Sequence, residues 1–162
     1  MSNHTRTFLF KFYNNLLGLN SRVAHFVRGH PRTCTFCDIR HDPDPNPENT
    51  LHLFFECVYV QGALREFFGW IFGSQLPYDI GLREFFIGFN FDNVNKSKVL
   101  DLILILVKKI IWDCKLRFTV PDSELLKKCF LEEYKKIHNA SGYVRSVTAK
   151  SDIFLNRADI RF

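Results

Sequence analysis

Apolar positions recur along this chain mostly with the period of helices. Leu9, Phe12, Tyr13 and Leu16 follow the i, i+3, i+4, i+7 spacing and predict a helix over 5–17, with Gly18 suited to its end. A short basic segment, 21–27, also reads as helical, and His30-Pro31 then leads into irregular chain. Three prolines alternate with Asp and Asn in DIRHDPDPNPENT (38–50), which forbids a regular helix there. Apolar character resumes at Leu51, with Asn49 or Thr50 as the expected N-cap, and continues to Phe72 with interruptions expected at Gly69 and Gly73. A turn around Pro77 and a short helix over 82–89 follow. The clearest long helix is 96–117, where Val99, Leu102, Ile103, Leu106, Ile110 and Cys114 make one stripe. Leu100, Leu104, Ile105, Ile111 and Trp112 carry the apolar surface round its other faces, as in a helix central to a core. After Pro121 a helix over 122–138 places Leu126, Phe130, Tyr134 and Ile137 inward and Lys127, Lys128, Lys135 and Lys136 outward, with Gly142 as its stop. The tail from Tyr143 on is weakly patterned.

These elements predict a mainly α fold: a small helical bundle with little or no sheet. The expected organisation is a basic helical lead-in (1–31), a metal knuckle (32–58), a helical bundle (59–139) and a tail (140–162). Composition agrees with a compact domain, since 46% of the 162 residues are hydrophobic and 18 are phenylalanine, enough bulky surface for a core. Residues 59–90 hold Phe67, Phe68, Phe85 and Phe86 among many aromatics, which read first as core and second as a docking face.

Charge changes the picture through its distribution. The net charge is +5, and residues 1–40 carry six Arg or Lys against Asp38 alone. The segment 41–60 is acidic, and 96–117 is basic again. Basic stretches favour polyanions such as nucleic acid. The longest apolar run, Val99–Val107, contains Asp101 and is far too short to span a bilayer. No signal peptide is visible, so a reducing compartment, nucleus or cytoplasm rather than the secretory route, is the expectation. There, clustered cysteines signal metal more often than disulfide.

Five cysteines are present, and three lie within a tight constellation, Cys34-x2-Cys37-x14-His52-x4-Cys57. A Cys-x2-Cys pair lets one turn aim two thiolates at one ion, and a distant second pair closes a tetrahedron. Four N/S ligands leave no open position, the pattern of one structural zinc rather than a catalytic one. The 14-residue insert adds only logarithmically to loop-closure cost. On an ideal α-helix, positions five apart lie ~140° apart, so His52 and Cys57 cannot share an ion from mid-helix. His52 is therefore expected at a helix start, and His41 in the acidic loop is its rival. Cys114 and Cys129 sit on apolar stripes and read as core.

The segments RTFLFKFYNNLLGLNSRVAHFV, CTFC and ENTLHLFFEC resemble the C-terminal zinc-binding region of LINE-type (non-LTR) retrotransposon reverse transcriptases. That region has a basic helical lead-in, Cys-x2-Cys, a variable loop, a Glu near a His, "HLF" and a final Cys. The later KKIIWDCKLRFTVPD is similar to its downstream "W..K" segment. The resemblance implies a nucleic-acid-handling accessory domain, holding RNA or single-stranded DNA beside a reverse transcriptase core, with Cys34, Cys37, His52 and Cys57 as ligands. It makes Arg22, Arg28 and Arg32 candidate phosphate contacts, with Lys11 and Arg40 behind them.

Phe26 and Phe36, interleaved with these arginines, are candidates for stacking on unpaired bases, although Phe36 reads first as a small core residue over the metal. No aromatic-x-Asp-Asp polymerase motif occurs, and Pro121-Asp122, which matches a nuclease motif in some relatives, opens an amphipathic helix instead. No enzyme, no membrane and no small-molecule substrate are expected. The alternative is a zinc-stapled protein-interaction module docking onto a polymerase core or another partner.

Overall fold

The computed structural model describes residues 2–73 and 80–149. The turn expected around Pro77 and the tail beyond residue 149 lie outside them. The chain is mainly helical, at 68%, with no strand among the described residues. The elements are α1 (Asn3–Tyr13), α2 (Asn20–Val23), α3 (Thr35–Ile39), a π-helical turn (His52–Glu56), α4 (Val58–Phe72), α5 (Leu82–Ile87), α6 (Val94–Leu116), α7 (Ser123–Ala140) and α8 (Gly142–Ala149). An isolated antiparallel bridge joins Thr33 and Pro47.

Two compact units form. One takes the chain up to Gly62 together with Ile111–Asp122, the other Ala63–Ile110 together with the chain from Ser123 on. In the first, Ser2 caps α1 by accepting from the Thr5 N–H at 3.2 Å. The helix buries Thr5, Phe8 and Phe12, whereas Tyr13 and Leu16 are exposed and Leu9 is half-buried. The expected stripe is thus rotated by about one residue, because Phe8 and Phe12 are what meet the core. Both rings pack on Phe54, at centroid distances of 6.3 and 5.2 Å, the second edge-on. The helix also stops earlier than expected: Asn15 takes a left-handed φ of 53°, a conformation Asn tolerates, before Gly18 is reached.

The second unit is built on phenylalanines. Phe67 meets Phe130 edge-on at 5.3 Å, and Phe130 stacks with Tyr134 at 5.4 Å. Phe67 and Phe85 are fully buried, and Phe68 and Phe86 half-buried. α4 runs without a break through Gly69, since the tertiary contacts of Phe67 and Ile71 outweigh the ~1 kcal/mol helix penalty of one glycine. It ends at Gly73, whose φ is +53°. Asn93 caps α6, its Oδ1 accepting from Asn95 N at 3.0 Å, so the helix begins two residues before the apolar stripe suggests. Gly88, at φ +106°, lets the backbone approach Asp101: a Cβ there would lie 2.7 Å from Oδ1. That same oxygen accepts from Phe89 N at 2.9 Å. α7 buries Leu126, Phe130, Tyr134 and Ile137, as its pattern predicts. It stops at Ala140, and Gly142 opens α8 instead of simply ending the fold.

Lys108 is a costly member of this core. It is buried, its Nζ donates to the Phe85 carbonyl at 2.8 Å, and it lies 5.4 Å from the Phe85 ring centre. Burial lowers its pKa to about 8 from an ordinary 10.5, with Asp101 opposing the shift. The folded chain therefore releases this proton before the unfolded chain does, and stability rises with pH between about 8 and 10.5. Relative to Lys108→Met, the wild type should gain on the order of 3 kcal/mol across that window in denaturant titrations. A stability difference that stays flat with pH would show that the ammonium is not held in a dry site.

Candidate metal centre

Three short segments of the first unit converge. Cys34 is the extended N-cap of α3 and Cys37 lies one turn into that helix, which is how a Cys-x2-Cys pair faces one point. Two contacts hold the approach to Cys34: its N–H donates to Asn46 O at 2.9 Å, and Thr33 bridges Pro47. The Pro-rich loop is therefore folded back against the knuckle rather than left to solvent.

His52 and Cys57 come from the other side. Asn49 starts this segment, its Oδ1 accepting from His52 N at 2.8 Å and its carbonyl from Leu53 N at 2.9 Å. The chain then widens into a π-turn, and Cys57 N donates to His52 O at 2.8 Å, an i+5 to i bond. Such a bond brings residues five apart to one side of the helix, which an α-turn would not. The geometric objection to sharing an ion is met by a local change of helix type, in addition to the placement of His52 near a helix start.

Cys34, Cys37, His52 and Cys57 are all buried, and their ligand atoms all lie within 4.8 Å of one another. Cys37 Sγ is 3.5 Å from His52 Nε2 and 3.9 Å from Cys57 Sγ. His41, the rival, is exposed with φ +53° and stands outside this group. Cys114 is buried and Cys129 half-buried, both away from the cluster.

Crowding governs how the four groups titrate. The Cys34 thiol is held far up, first by its hydrogen bond with Cys57 and then by burial. Cys57, at the other end of that bond, is lowered, helped by the backbone N–H groups of Tyr59 and Val60. Burial, then the neighbouring charge of Cys34, pushes Cys37 up to about 11. Burial lowers His52, favouring the neutral imidazole that a metal accepts as ligand. A cation at the centre would turn this mutual repulsion into attraction, so the cluster is compatible with a bound metal ion.

Behind the ligands lies a residue that charge patterning did not single out. Glu48 counts among the acidic loop residues in the sequence, yet it is 0% exposed. Its Oε2 accepts from Thr35 N at 2.9 Å and Thr35 Oγ1 at 2.7 Å. Its Oε1 accepts from Asn20 N at 2.8 Å and pairs with Lys115 Nζ at 3.2 Å. Its own backbone N–H donates to Arg32 O at 2.8 Å, and its carbonyl accepts from Ser21. One carboxylate thus joins α2, the residue after Cys34, the Pro-rich loop and the end of α6. Only the family resemblance hinted at it, as the Glu placed shortly before the His.

The basic candidates lie in this same unit. Lys11, Arg28, Arg32 and Arg40 are exposed and Arg22 is half-buried; among the described residues none of the five is ion-paired. Phe26 is 83% exposed, whereas Phe36 is fully buried beside Cys37 and is not available to a base. Of the two readings of Phe36, a small core residue or a stacking platform, its burial fits the first. No helix among the described residues is long and apolar enough to cross a membrane. No protein-family model matches the chain, and neither a curated protein nor a solved structure matches it.

Glu48→Gln leaves the Lys115 ammonium buried without its counter-charge, which should cost about 3–5 kcal/mol. Chemical denaturation measures it, and Glu48→Gln with Lys115→Met should recover part of the loss. A single variant within about 0.5 kcal/mol of wild type would mean that the carboxylate does not organise the knuckle.

Proposed function

We propose that this chain is a zinc-stabilised nucleic-acid-binding domain without catalysis of its own. The distances between the ligand atoms carry the zinc assignment. A tetrahedral ion with Zn–S near 2.3 Å and Zn–N near 2.05 Å requires sulfur–sulfur edges of ~3.8 Å and sulfur–nitrogen edges of ~3.6 Å. Two of the six edges match these, Cys37–Cys57 at 3.9 Å and Cys37–His52 at 3.5 Å, and all six are within 4.8 Å. Three thiolates and one imidazole suit zinc better than the hard cations, which take oxygen. Four protein ligands fill the coordination sphere, which favours a structural role over hydrolysis.

Nucleic acid is the partner favoured by the unit that holds the cluster. Lys11, Arg28, Arg32 and Arg40 present solvent-exposed cations, and Phe26 offers an exposed ring. This is the combination that single strands engage, phosphates on cations and bases on a π-face. The resemblance of this stretch to the zinc-binding C-terminal region of LINE-type reverse transcriptases supports the same reading, with the domain serving beside a polymerase core. A second reading has its own observation: Phe10, Tyr13 and Leu16 are exposed on and just after α1, an apolar surface suited to a protein partner.

Metal analysis of the purified chain should give about one zinc per molecule, and Cys37→Ser should lose it along with several kcal/mol of stability. A metal-free protein that melts at the same temperature would overturn the zinc reading. Binding to single-stranded RNA or DNA should weaken more than about tenfold from about 50 to about 200 mM salt if three phosphates are neutralised. Arg28→Ala with Arg32→Ala should flatten that slope and leave zinc content unchanged. Salt-insensitive or absent binding, with a protein partner captured through Phe10 and Tyr13, would favour the second reading.

A further inference from the structure

A cleft in the metal-bearing unit lies between the start of α2 and the turn that leads into His52. Its volume is about 460 Å³, within the range of about 300–1,000 Å³ typical of small-ligand sites. Asn15, Ser21, Arg22, His25, Asn49 and Thr50 supply its polar wall, and Leu19 and Leu51 its apolar wall.

The wall carries both donors and acceptors: Ser21 Oγ donates to Glu48 O and Thr50 Oγ1 to Asn15 Oδ1, so both hydroxyls keep lone pairs for a ligand hydroxyl. Asn49 Oδ1 already accepts from His52 N, and Asn15 Oδ1 accepts from Thr50 Oγ1 at 3.5 Å. Among the described residues neither asparagine's amide nitrogen has a hydrogen-bond partner, so each can donate to a ligand. Arg22 adds five N–H donors, and its Nη1 is buried with no hydrogen-bond partner. No Asp or Glu lines the cleft. The guanidinium of Arg22, half-buried in this wall and without an ion-pair partner among the described residues, is a cation to which an anion in the cleft can bind. Phosphate is the anion that the Arg fork matches best. The two leucines leave room beside it for something apolar and flat.

We propose that this cleft holds one nucleotide unit of a bound strand, its phosphate on Arg22 and the asparagine amides and its sugar or base against Leu19 and Leu51. The proposal rests on the nucleic-acid reading above and deepens it to one subsite. Arg22 is then a different kind of contact from Arg28 and Arg32. Those two are exposed and interchangeable with other cations, whereas Arg22 sits in a shaped recess where Lys would not replace it.

Amide chemical shifts of the zinc-loaded full chain, titrated with uridine 5′-monophosphate, uridine and inorganic phosphate, test this. The nucleotide should move Asn15, Ser21, Arg22, His25 and Thr50 saturably, inorganic phosphate should move the same residues more weakly, and uridine should leave them in place. Arg22→Gln should weaken nucleotide binding at least about tenfold, the loss expected of one charge-assisted hydrogen bond. Thr50→Val, which keeps shape, should preserve the fold and lower affinity less. Shifts scattered over the surface, equal responses to uridine and its monophosphate, or an Arg22→Gln variant that binds as tightly as wild type would each overturn the site. Strand binding with a steep salt slope, while the monophosphate leaves the cleft unmoved, overturns the cleft and leaves the domain's nucleic-acid role standing. Cleft-confined shifts from the monophosphate without any strand binding keep the cleft and overturn that role.

Discussion

Three sulfurs and one imidazole nitrogen within 4.8 Å of one another, all from buried residues, are the constraint around which the first unit is arranged. Packed thiols and an imidazole gain little from one another, and ionising them in place is opposed by burial and by like charge. The arrangement makes physical sense when something at its centre attracts all four. Around that point the chain makes a series of local concessions: an extended N-cap at Cys34, a π-turn at His52–Glu56, and a proline-rich loop bridged back through Thr33 and Pro47.

Glu48 and Lys115 form the second layer of the same design. An ion pair this deeply buried is weak support for net stability, because both groups lose their hydration. Its value is specificity: the carboxylate accepts three hydrogen bonds besides the ion pair, one from Asn20 and two from Thr35, and so holds these two segments in register. Thr35 is the residue through which this register reaches Cys34. The other unit is organised differently, by interlocking phenylalanines around Phe67, Phe85 and Phe130, with Lys108 an expensive buried charge among them.

The two faces of the proposed function differ in what they rest on. The zinc assignment follows from distances between named atoms and from the softness of the donor set. The strand-binding role follows from exposed cations, an exposed Phe26 and a resemblance confined to a short stretch of chain. The recess at Arg22 connects them, since its walls are α2 and the turn that delivers His52. Residues that bring a ligand to the metal would thereby also shape the place where a phosphate rests.

The sequence by itself determined the helical class and the four side chains able to meet, because helical periodicity and Cys-x2-Cys spacing are local properties with local causes. It favoured His52 over His41, and the folded chain places His52 Nε2 3.5 Å from Cys37 Sγ. Helix geometry read from sequence assumed α-turns throughout, and a π-turn is invisible at that level because no residue type demands it. The shift of the α1 stripe to Phe8 and Phe12 was decided by Phe54, more than forty residues away. Glu48 looked like part of a solvated acidic loop, and its burial depends on Lys115, a partner distant in the chain that no spacing rule connects to it. Spacing bounds which groups can converge at small entropic cost, while long-range packing and charge pairing choose among the convergences that remain.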